Sequence, residues 1–468
     1  MTTKFVIVGA GPAGMRAAEQ LVSAGHRPVV IDEAHRFGGQ IYRQPPYGMQ
    51  RERSDLYGFE AERASAVLNR FASLLPQIDY RPNTLVWQVA PKKLQLMRDG
   101  RDETLPFDAL ILATGATDRV LPFPGWTLPG VVTLGAAQVA LKYQACLVGP
   151  RVVFAGTGPL LYLVAWQYAS HGGQVMAVLD TAPAVAKLMA VPKLLARPAV
   201  AAKGAYFVAR LRLAGVPIYS GVRLLGAEGD EHVTTLRWLK ADGTKRTTHC
   251  DAIGVGHGLR SETQLADLAG CHFDYQPIDQ AWLPTRDASG RSSVRCVYLA
   301  GDGAAILGAD AAELSGARAA LAALEDCAAM PSPALASSLE AQVRRHTRFR
   351  AGLETAFALP ANWAAEAPDE LIVCRCEEIT AGELRECAKT TGTREMNRLK
   401  ALTRIGMGRC QGRMCAPAAS WLLADAAGCE LKDVGRLRSQ APVKPLPIRL
   451  MREAATTAAP VPFDERDD

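Results

Sequence analysis

The sequence lacks the long apolar run of a membrane-spanning helix, and its start predicts no leader of a secreted protein. In its 468 residues no uncharged apolar stretch reaches the roughly 18 residues that cross a bilayer. The first apolar run begins at Phe5, which leaves no room for a signal peptide. We therefore expect a cytoplasmic protein without a transmembrane segment.

The chain also lacks a strong charge of either sign. It has 53 lysines and arginines against 47 aspartates and glutamates, a net charge of +6, which gives no support to nucleic-acid binding. Hydrophobic residues make up 49% and charged residues 21%, as in folded soluble proteins of two or three domains. The eight histidines show no spacing typical of a metal site. No substrate-binding arginine or base stands out, so the catalytic residues stay unassigned.

A glycine-rich turn follows the first apolar run, residues 5–8. It reads Gly9-Ala10-Gly11-Pro12-Ala13-Gly14 and leads into a helical pattern. In such a turn the first glycine permits a tight bend, the second lets the backbone approach a pyrophosphate, and the third lets the helix pack on the strand. A second apolar run ends at Asp32 and Glu33, about 20 residues further on, where an acid binds a ribose. This order predicts an α/β dinucleotide-binding domain.

Three later segments resemble segments of FAD-binding proteins. They are Gly38-Gly39-Gln40 after the acids, Thr114-Gly115 after a buried strand, and Gly301-Asp302-Gly303 after the strand pattern 297–300. The arrangement resembles the glutathione-reductase and thioredoxin-reductase class, in which Glu33 would be a better ribose ligand than Asp32. The resemblance implies that the chain crosses between two domains after Thr114 and that Asp302 bonds the ribitol. One FAD site would then be built from distant parts of the chain.

A second, less complete glycine turn lies at Gly156-Thr157-Gly158. Leu161 stands where the third glycine is expected, and a side chain there crowds the helix against the strand. Asp180 ends the next strand pattern and would favour NADH over NADPH. We leave open whether NADH, an adenylate (ATP or ADP) or nothing binds at this second domain. Residues 184–215 form a basic, proline-interrupted helical insertion, which we expect to be covered by its own fold or by a partner subunit, with a membrane-surface helix as the alternative.

Four of the eleven cysteines form two close pairs. Cys374-x-Cys376 is followed, after 33 residues, by a pair with four intervening residues, Cys410 and Cys415. Four thiolates suit a tetrahedral zinc ion or a 2Fe–2S cluster. Basic residues crowd the second pair and suit the negative charge of an iron cluster: Lys400, Arg404, Arg409 and Arg413. We favour 2Fe–2S, with zinc and free core thiols as alternatives.

The cysteine segment resembles the bacterioferritin-associated-ferredoxin-like (BFD-like) 2Fe–2S domain, although its closing pair is more widely spaced. The longer form, GMGRCQGRMC, is similar to that of the alpha subunits of opine oxidases, of hydrogen cyanide synthase and of D-hydroxyproline and related amino-acid dehydrogenases. The likeness also covers GAGPAGMRAA, DEAHRFGGQIYRQ, LILATGATDRVLPFPGWTLPGV and VYLAGDGA. It implies two Rossmann-like domains of the glutathione/thioredoxin reductase type and a small helical BFD-like domain.

The resemblance also implies partners. A D-amino-acid-oxidase-like FAD subunit would oxidise the substrate, and this chain would pass the electrons to a quinone or other acceptor. Three points stay open: whether a small third subunit exists, whether another flavin lies at the interface between subunits, and whether the protein associates peripherally with the inner face of the membrane. Two rival hypotheses are a stand-alone NADH-dependent FAD/2Fe–2S reductase and a non-catalytic cofactor-binding scaffold.

These patterns predict the following division of the chain. Residues 1–118 and 271–330 form the FAD-binding domain, 119–270 the second dinucleotide-binding domain, 331–369 a helical linker, 370–432 the BFD-like domain and 433–468 an extended tail.

Overall fold

The computed structural model describes residues 3–327 and 333–447. The chain begins with the strands and helices of the first dinucleotide-binding domain. In order they are β1 (Phe5–Val8), α1 (Pro12–Ser23), β2 (Val29–Ile31), α2 (Arg53–Tyr57), α3 (Ala61–Leu74), β3 (Asp79–Arg81), β4 (Thr84–Ala90), β5 (Lys93–Arg98), β6 (Arg101–Pro106), β7 (Ala109–Leu112) and β8 (Ala116–Asp118).

The elements of the second dinucleotide-binding domain follow. They are β9 (Val131–Thr133), α4 (Leu134–Tyr143), β10 (Arg151–Thr157), α5 (Pro159–Ser170), β11 (Gln174–Asp180), α6 (Ala184–Leu194), α7 (Pro198–Leu213), β12 (Ile218–Ser220), β13 (Arg223–Glu228), β14 (Thr235–Leu239), β15 (Lys245–His249), β16 (Ala252–His257) and β17 (Leu259–Ser261).

The chain then returns to the first domain and ends in the cysteine-bearing domain. The returning elements are α8 (Gln264–Leu268), β18 (Phe273–Gln276), β19 (Ala281–Pro284), β20 (Val297–Leu299) and α9 (Ala309–Asp326). The remaining ones are α10 (Pro333–Ala356), α11 (Trp363–Glu366), β21 (Ile372–Cys374), β22 (Ile379–Thr380), α12 (Ala381–Thr391), α13 (Met396–Thr403) and α14 (Ala416–Ala427).

Two five-stranded parallel sheets organise the first two domains. The first has the strand order β20-β7-β1-β2-β3 and the second the order β12-β11-β10-β16-β9. Strand β1 is buried along its whole length, as expected of a central parallel strand covered on both faces. The α/β class and the two dinucleotide-binding domains predicted from the sequence are therefore confirmed.

Helix α9 brings the end of the first domain back to its beginning. It packs along α1, and the contact is close because Gly316 faces the backbone of α1. A Cβ at Gly316 would lie 2.0 Å from the carbonyl oxygen of Ala13. The segment that follows β20 is thereby held beside the glycine turn that follows β1.

The helical insertion consists of two helices, α6 and α7, with Pro192 inside α6. Helix α6 packs against α10 on one side. On its other side Leu188 is 72% exposed and Met189 is 68% exposed, so the chain's own fold covers only part of the insertion. None of the helices in the described residues is long and apolar enough to cross a membrane.

The cysteine-bearing domain is small and mainly helical. Helix α12 packs on α13 and α14, and it begins with a capping box between Thr380 and Glu383, which satisfies free N–H groups at the helix start. The predicted extended tail is described as far as residue 447, and the rest of it lies outside the described residues.

Candidate FAD and iron–sulfur sites

A cavity of about 1530 Å³ opens at the carboxyl end of the first parallel sheet, where open α/β sheets bind their ligands. Twelve of the fourteen residues predicted to bind FAD border it: Gly9, Gly11, Pro12, Ala13, Asp32, Glu33, Gly39, Gln40, Thr114, Gly115, Gly301 and Asp302. The other two, Gly14 and Gly303, pack behind the wall. A Cβ at Gly14 would lie 1.8 Å from the Gly9 oxygen, and one at Gly303 2.5 Å from Thr114 Oγ1.

The glycine turn leaves the space that a pyrophosphate needs. Gly9 has a φ of +106°, and a Cβ there would lie 2.2 Å from the carbonyl oxygen of Ala113. Gly11 and Gly39 face each other, since a Cβ on Gly39 would lie 2.9 Å from the Gly11 Cα. The residues present therefore fit FAD, because any side chain at these positions would fill the cradle.

The two acids after β2 have different surroundings. Asp32 accepts hydrogen bonds from the backbone N–H of Ala10 at 2.6 Å and of Ala34 at 2.7 Å. Burial raises the pKa of Asp32, and these two hydrogen bonds oppose the rise. Glu33 is exposed at the cavity wall and contacts Lys444 Nζ. This geometry suits Glu33 to the ribose and Asp32 to holding the turn together.

Asp302 organises the other side of the cavity. Its Oδ1 accepts from the N–H groups of Leu307 at 2.9 Å and Gly308 at 3.0 Å, and burial raises its pKa. The 18-residue helix α9 begins just beyond, and its first residue, Ala309, borders the cavity. The positive end of the helix dipole therefore faces the space where a flavin would lie.

Two lysines at the cavity were missed by sequence reasoning. Lys142 is 4% exposed and donates from Nζ to the carbonyl oxygen of Ile41 at 3.1 Å. Burial lowers its pKa to about 8. The sequence indicates Lys142 only as a lysine within an apolar helix pattern. Lys444 lies 411 positions from its partner Glu33, so no local pattern could indicate it.

The second glycine turn lies apart from the large cavity. Leu161 is fully buried between α5 and the second sheet. Asp180 is 0% exposed, and its Oδ2 accepts from Tyr162 Oη at 2.7 Å and pairs with Lys187 Nζ at 2.6 Å. Neither Gly156, Gly158 nor Asp180 borders the large cavity. In this conformation Asp180 has no exposed carboxylate for a ribose, so its role in nucleotide binding stays a prediction.

The four predicted cysteine ligands lie together as neighbouring pairs. Cys415 is within hydrogen-bonding distance of Cys374 and Cys410, and Cys410 is within that distance of Cys376. These contacts lower the pKa of Cys374 to about 6 and of Cys410 to about 5, and raise that of Cys415. Burial raises the pKa of Cys376.

The arrangement of these thiols fits a two-iron cluster. Four thiolates can hold two irons, with a pair on each, or one zinc ion. In residues 3–327 and 333–447, no group of three or more His, Cys, Asp or Glu side chains is already placed to hold a metal ion in this conformation. Gly408 leaves room for the outer ligand, because a Cβ there would lie 2.3 Å from the Cβ of Cys376.

The cysteine loop also reaches the large cavity. Cys410, Arg413 and Met414 border the same space as Gly301 and Asp302. Cys376 is exposed, while Cys374 and Cys415 are buried. The quartet therefore reaches both the cavity, through Cys410, and the protein surface, through Cys376.

Comparisons with known proteins agree with this geometry. Residues 3–325 match the pyridine nucleotide-disulphide oxidoreductase family, and residues 372–425 match the BFD-like [2Fe-2S] binding domain. These matches confirm FAD and a 2Fe–2S cluster as the cofactors. The chain is 37% identical to the opine oxidase A-type subunit of Agrobacterium tumefaciens (strain Ach5), over 97% of this chain and 92% of that protein.

Two further proteins resemble the whole chain. Hydrogen cyanide synthase subunit HcnB of Pseudomonas protegens is 34% identical over 96% of this chain and 97% of its own length. The crystal structure of L-proline dehydrogenase from P. horikoshii superposes with a TM-score of 0.69 at 17% identity, over 96% of this chain and 79% of that one, which is a likeness of fold. The chain thus belongs to the pyridine nucleotide-disulphide oxidoreductase family, in the group that contains the A-type subunits of opine oxidase and HcnB.

Proposed function

We propose that this chain is the electron-transfer subunit of a multi-subunit dehydrogenase or oxidase that acts on the CH–NH or CH–NH2 group of an amine or amino acid. The observation that carries the proposal is the shared wall: Cys410 borders the cavity that Gly301 and Asp302 also border. The names of the relatives, subunits of opine oxidase and hydrogen cyanide synthase, support an amino-acid-derived substrate of the opine, hydroxyproline or glycine type.

The reaction divides between two chains. In a D-amino-acid-oxidase-like partner subunit, loss of two electrons and two protons would convert the C–N single bond of the substrate into C=N. FAD in this chain would accept two electrons and release them one at a time, and the cluster would carry one at a time, so the two together join two-electron chemistry to one-electron transfer. A quinone that takes up two electrons and two protons would complete the balance.

The residues of this chain hold and orient the cofactors. We assign the glycine turn at Gly9 and Gly11 to the pyrophosphate, Glu33 to the ribose, and Asp302 with the start of α9 to the flavin end. The ligands of the cluster would be Cys374, Cys376, Cys410 and Cys415. We assign the chemistry on the substrate to the partner, in line with the resemblance to subunits of multi-subunit oxidases.

The stand-alone NADH reductase has less support. Leu161 occupies the position of the third glycine, and the carboxylate of Asp180 is engaged by Tyr162 and Lys187. An adenylate bound at the second domain is compatible with the proposal. It would stabilise the domain, but it could not supply electrons because it has no nicotinamide.

The proposal is tested by visible and low-temperature EPR spectra of the anaerobically purified chain, taken before and after NADH and then dithionite. We expect a flavin spectrum that NADH does not bleach and an iron–sulfur EPR signal after dithionite. Immediate bleaching by NADH would favour the stand-alone reductase. Co-purification with a D-amino-acid-oxidase-like protein, and flavin reduction by amino acids only in that complex, would identify the substrate class.

A further inference from the structure

A second, small cavity of about 120 Å³ lies between the first domain and the cysteine-bearing domain. Its walls come from the β18–β19 hairpin, the region of β17, helix α14 and residues 431–439. One water needs about 10–15 Å³ of such space, so the cavity has room for a small polar molecule. It is separate from the FAD cavity, although the cysteine loop contributes to both.

The walls of the small cavity are positively charged. Arg119, Arg260, Arg436 and Arg438 border it, whereas no described residue on its walls is an aspartate, glutamate or histidine. Arg436 is neutralised by two hydrogen bonds to Asp267, at 2.6 and 2.7 Å. The other three make no ion pair within the part of the chain that the structure describes. The cavity therefore has a surplus of positive charge.

Arg119 is the most deeply buried of these arginines. It is 7% exposed, and its guanidinium donates one hydrogen bond, to the carbonyl oxygen of Asp279 at 2.6 Å. The nearest carboxylates, Asp279 and Glu354, are both paired with Arg350. A guanidinium has five N–H donors, so Arg119 keeps donors for which a carboxylate or phosphate is the best acceptor.

Two uncharged side chains of the wall also lack partners among the described residues. Trp282 Nε1 and Gln264 Oε1 are buried there without a hydrogen bond, and both residues border the cavity. An unpaired buried polar atom destabilises the fold. Both atoms are closed off from the open space in this conformation, so a small rotation of each side chain would bring the indole N–H to an oxyanion and the amide oxygen to a hydroxyl group on the same ligand.

We propose that this cavity binds a small oxyanion that also carries a hydroxyl group, a chemistry shared by hydrogenphosphate and short hydroxycarboxylates. Three donors, Arg119, Arg260 and Trp282, would bind the oxyanion, and Gln264 would accept from the hydroxyl. This site is additional to the FAD and cluster sites that the proposed function requires. Its existence does not depend on which substrate the partner oxidises.

The site would act on the neighbouring cluster. Arg260 Nη1 donates to the carbonyl oxygen of Arg413, and Gln264 Nε2 donates to that of Gln411, each at 2.8 Å. Both acceptors lie between the ligands Cys410 and Cys415. A bound anion would place negative charge beside the cluster, disfavour the addition of an electron and lower the reduction potential.

The test uses the full chain with its FAD and iron. Isothermal titration calorimetry with inorganic phosphate and with lactate, at ionic strength held constant with sodium chloride, measures binding. We expect saturable binding of at least one probe, weakened about tenfold in Arg119→Gln, as for loss of a charge-assisted hydrogen bond. Trp282→Phe keeps the aromatic wall and should weaken binding less. Arg394→Gln, an exposed arginine outside both cavities, is the matched control.

The outcomes separate the sources of the oxyanion. Binding of phosphate alone identifies a phosphate site, and binding of lactate alone identifies a carboxylate site. Absence of binding by both probes, or binding unchanged in both Arg119→Gln and Trp282→Phe, would overturn the proposal. An EPR-monitored redox titration should show a lower cluster potential with the bound probe than with chloride, and equal potentials would overturn the link to the cluster.

Discussion

Arg413 donates from Nε to Oε2 of Glu262 at 2.7 Å, and this ion pair joins the loop between two cysteine ligands to the crossover of the first domain. Each of the two side chains is 14% exposed. The backbone oxygen of Glu262 also accepts from Thr114 Oγ1 at 2.5 Å. The pair therefore ties the cluster side of the cavity to the strand end that borders the flavin side.

Glu262→Gln should loosen this connection while keeping the shape of the side chain. Arg413 would lose its charged partner, at a cost of about 1–3 kcal/mol in a partly buried position. We expect a lower melting temperature and slower electron transfer between FAD and cluster in rapid-mixing experiments, with both cofactors retained. The matched control is Glu366→Gln, whose exposed pair with Arg223 should contribute little. Equal effects of the two substitutions would contradict this role.

Gly408→Ala tests whether the close packing of Gly408 against Cys376 is needed to bind the cluster. The added Cβ would lie 2.3 Å from the Cβ of Cys376, so the loop must move away from the ligand. We expect loss of most of the iron and labile sulfide with FAD unchanged, measured by chemical analysis and absorbance. Gly204→Ala in α7 is the control, because nothing lies within 4 Å of its added Cβ. A full complement of iron in Gly408→Ala would show that the quartet is held differently.

The cysteines themselves separate the electron-transfer role from a scaffold role. Cys410→Ser should abolish the iron–sulfur EPR signal and turnover with the physiological acceptor, whereas Cys387→Ser in the same domain should retain both. FAD content should be unchanged in each variant. A scaffold would instead tolerate Cys410→Ser, with the complex still assembling and turning over at the normal rate.

The sequence predicted the parts of the site that depend on local pattern. The turn Gly9 to Gly14, the segment at Gly301 and the cysteine quartet carry residue types that few other structures require at that spacing. Partnerships over long separations, such as Glu33 with Lys444 and Arg413 with Glu262, left no local trace. They arise because the chain returns to the first domain after β17 and again at residues 443 and 444. Hydrophobic periodicity predicts local helices and strands, but it does not predict which distant segments come into contact.

The two acids after β2 should give different phenotypes. Glu33→Ala should weaken FAD binding at least tenfold, as for loss of hydrogen bonds to a charged group, with little change in the melting temperature of the FAD-free chain. Asp32→Asn should lower that melting temperature, because its carboxylate accepts from Ala10 and Ala34. Fluorescence titration with FAD and thermal unfolding measure the two effects. If Asp32→Asn reduced only FAD affinity, Asp32 and not Glu33 would be the ribose ligand.

Lys142 should make stability depend on pH in a predictable direction. Burial lowers its pKa to about 8 in the folded chain, whereas an unfolded lysine titrates near 10.4. Between these values the unfolded state binds more protons, so stability rises with pH through this window. Lys142→Met removes the buried charge and should stabilise the chain by about 1–3 kcal/mol near neutral pH.

The advantage of the methionine should shrink as the pH rises from about 8 toward about 10.4, because the folded lysine becomes neutral while the unfolded lysine is still largely charged. Thermal unfolding of both chains across this range measures it, and Lys389→Met, at an exposed position of α12, should show no such trend. A wild-type chain that is the more stable at neutral pH would mean that the partners of the charged Lys142, the carbonyl oxygen of Ile41 or an anion in the cavity, outweigh the cost of its burial. If FAD then stabilised the wild type more than Lys142→Met, Lys142 would be part of the FAD site, because the diphosphate of FAD is the anion expected in this cavity.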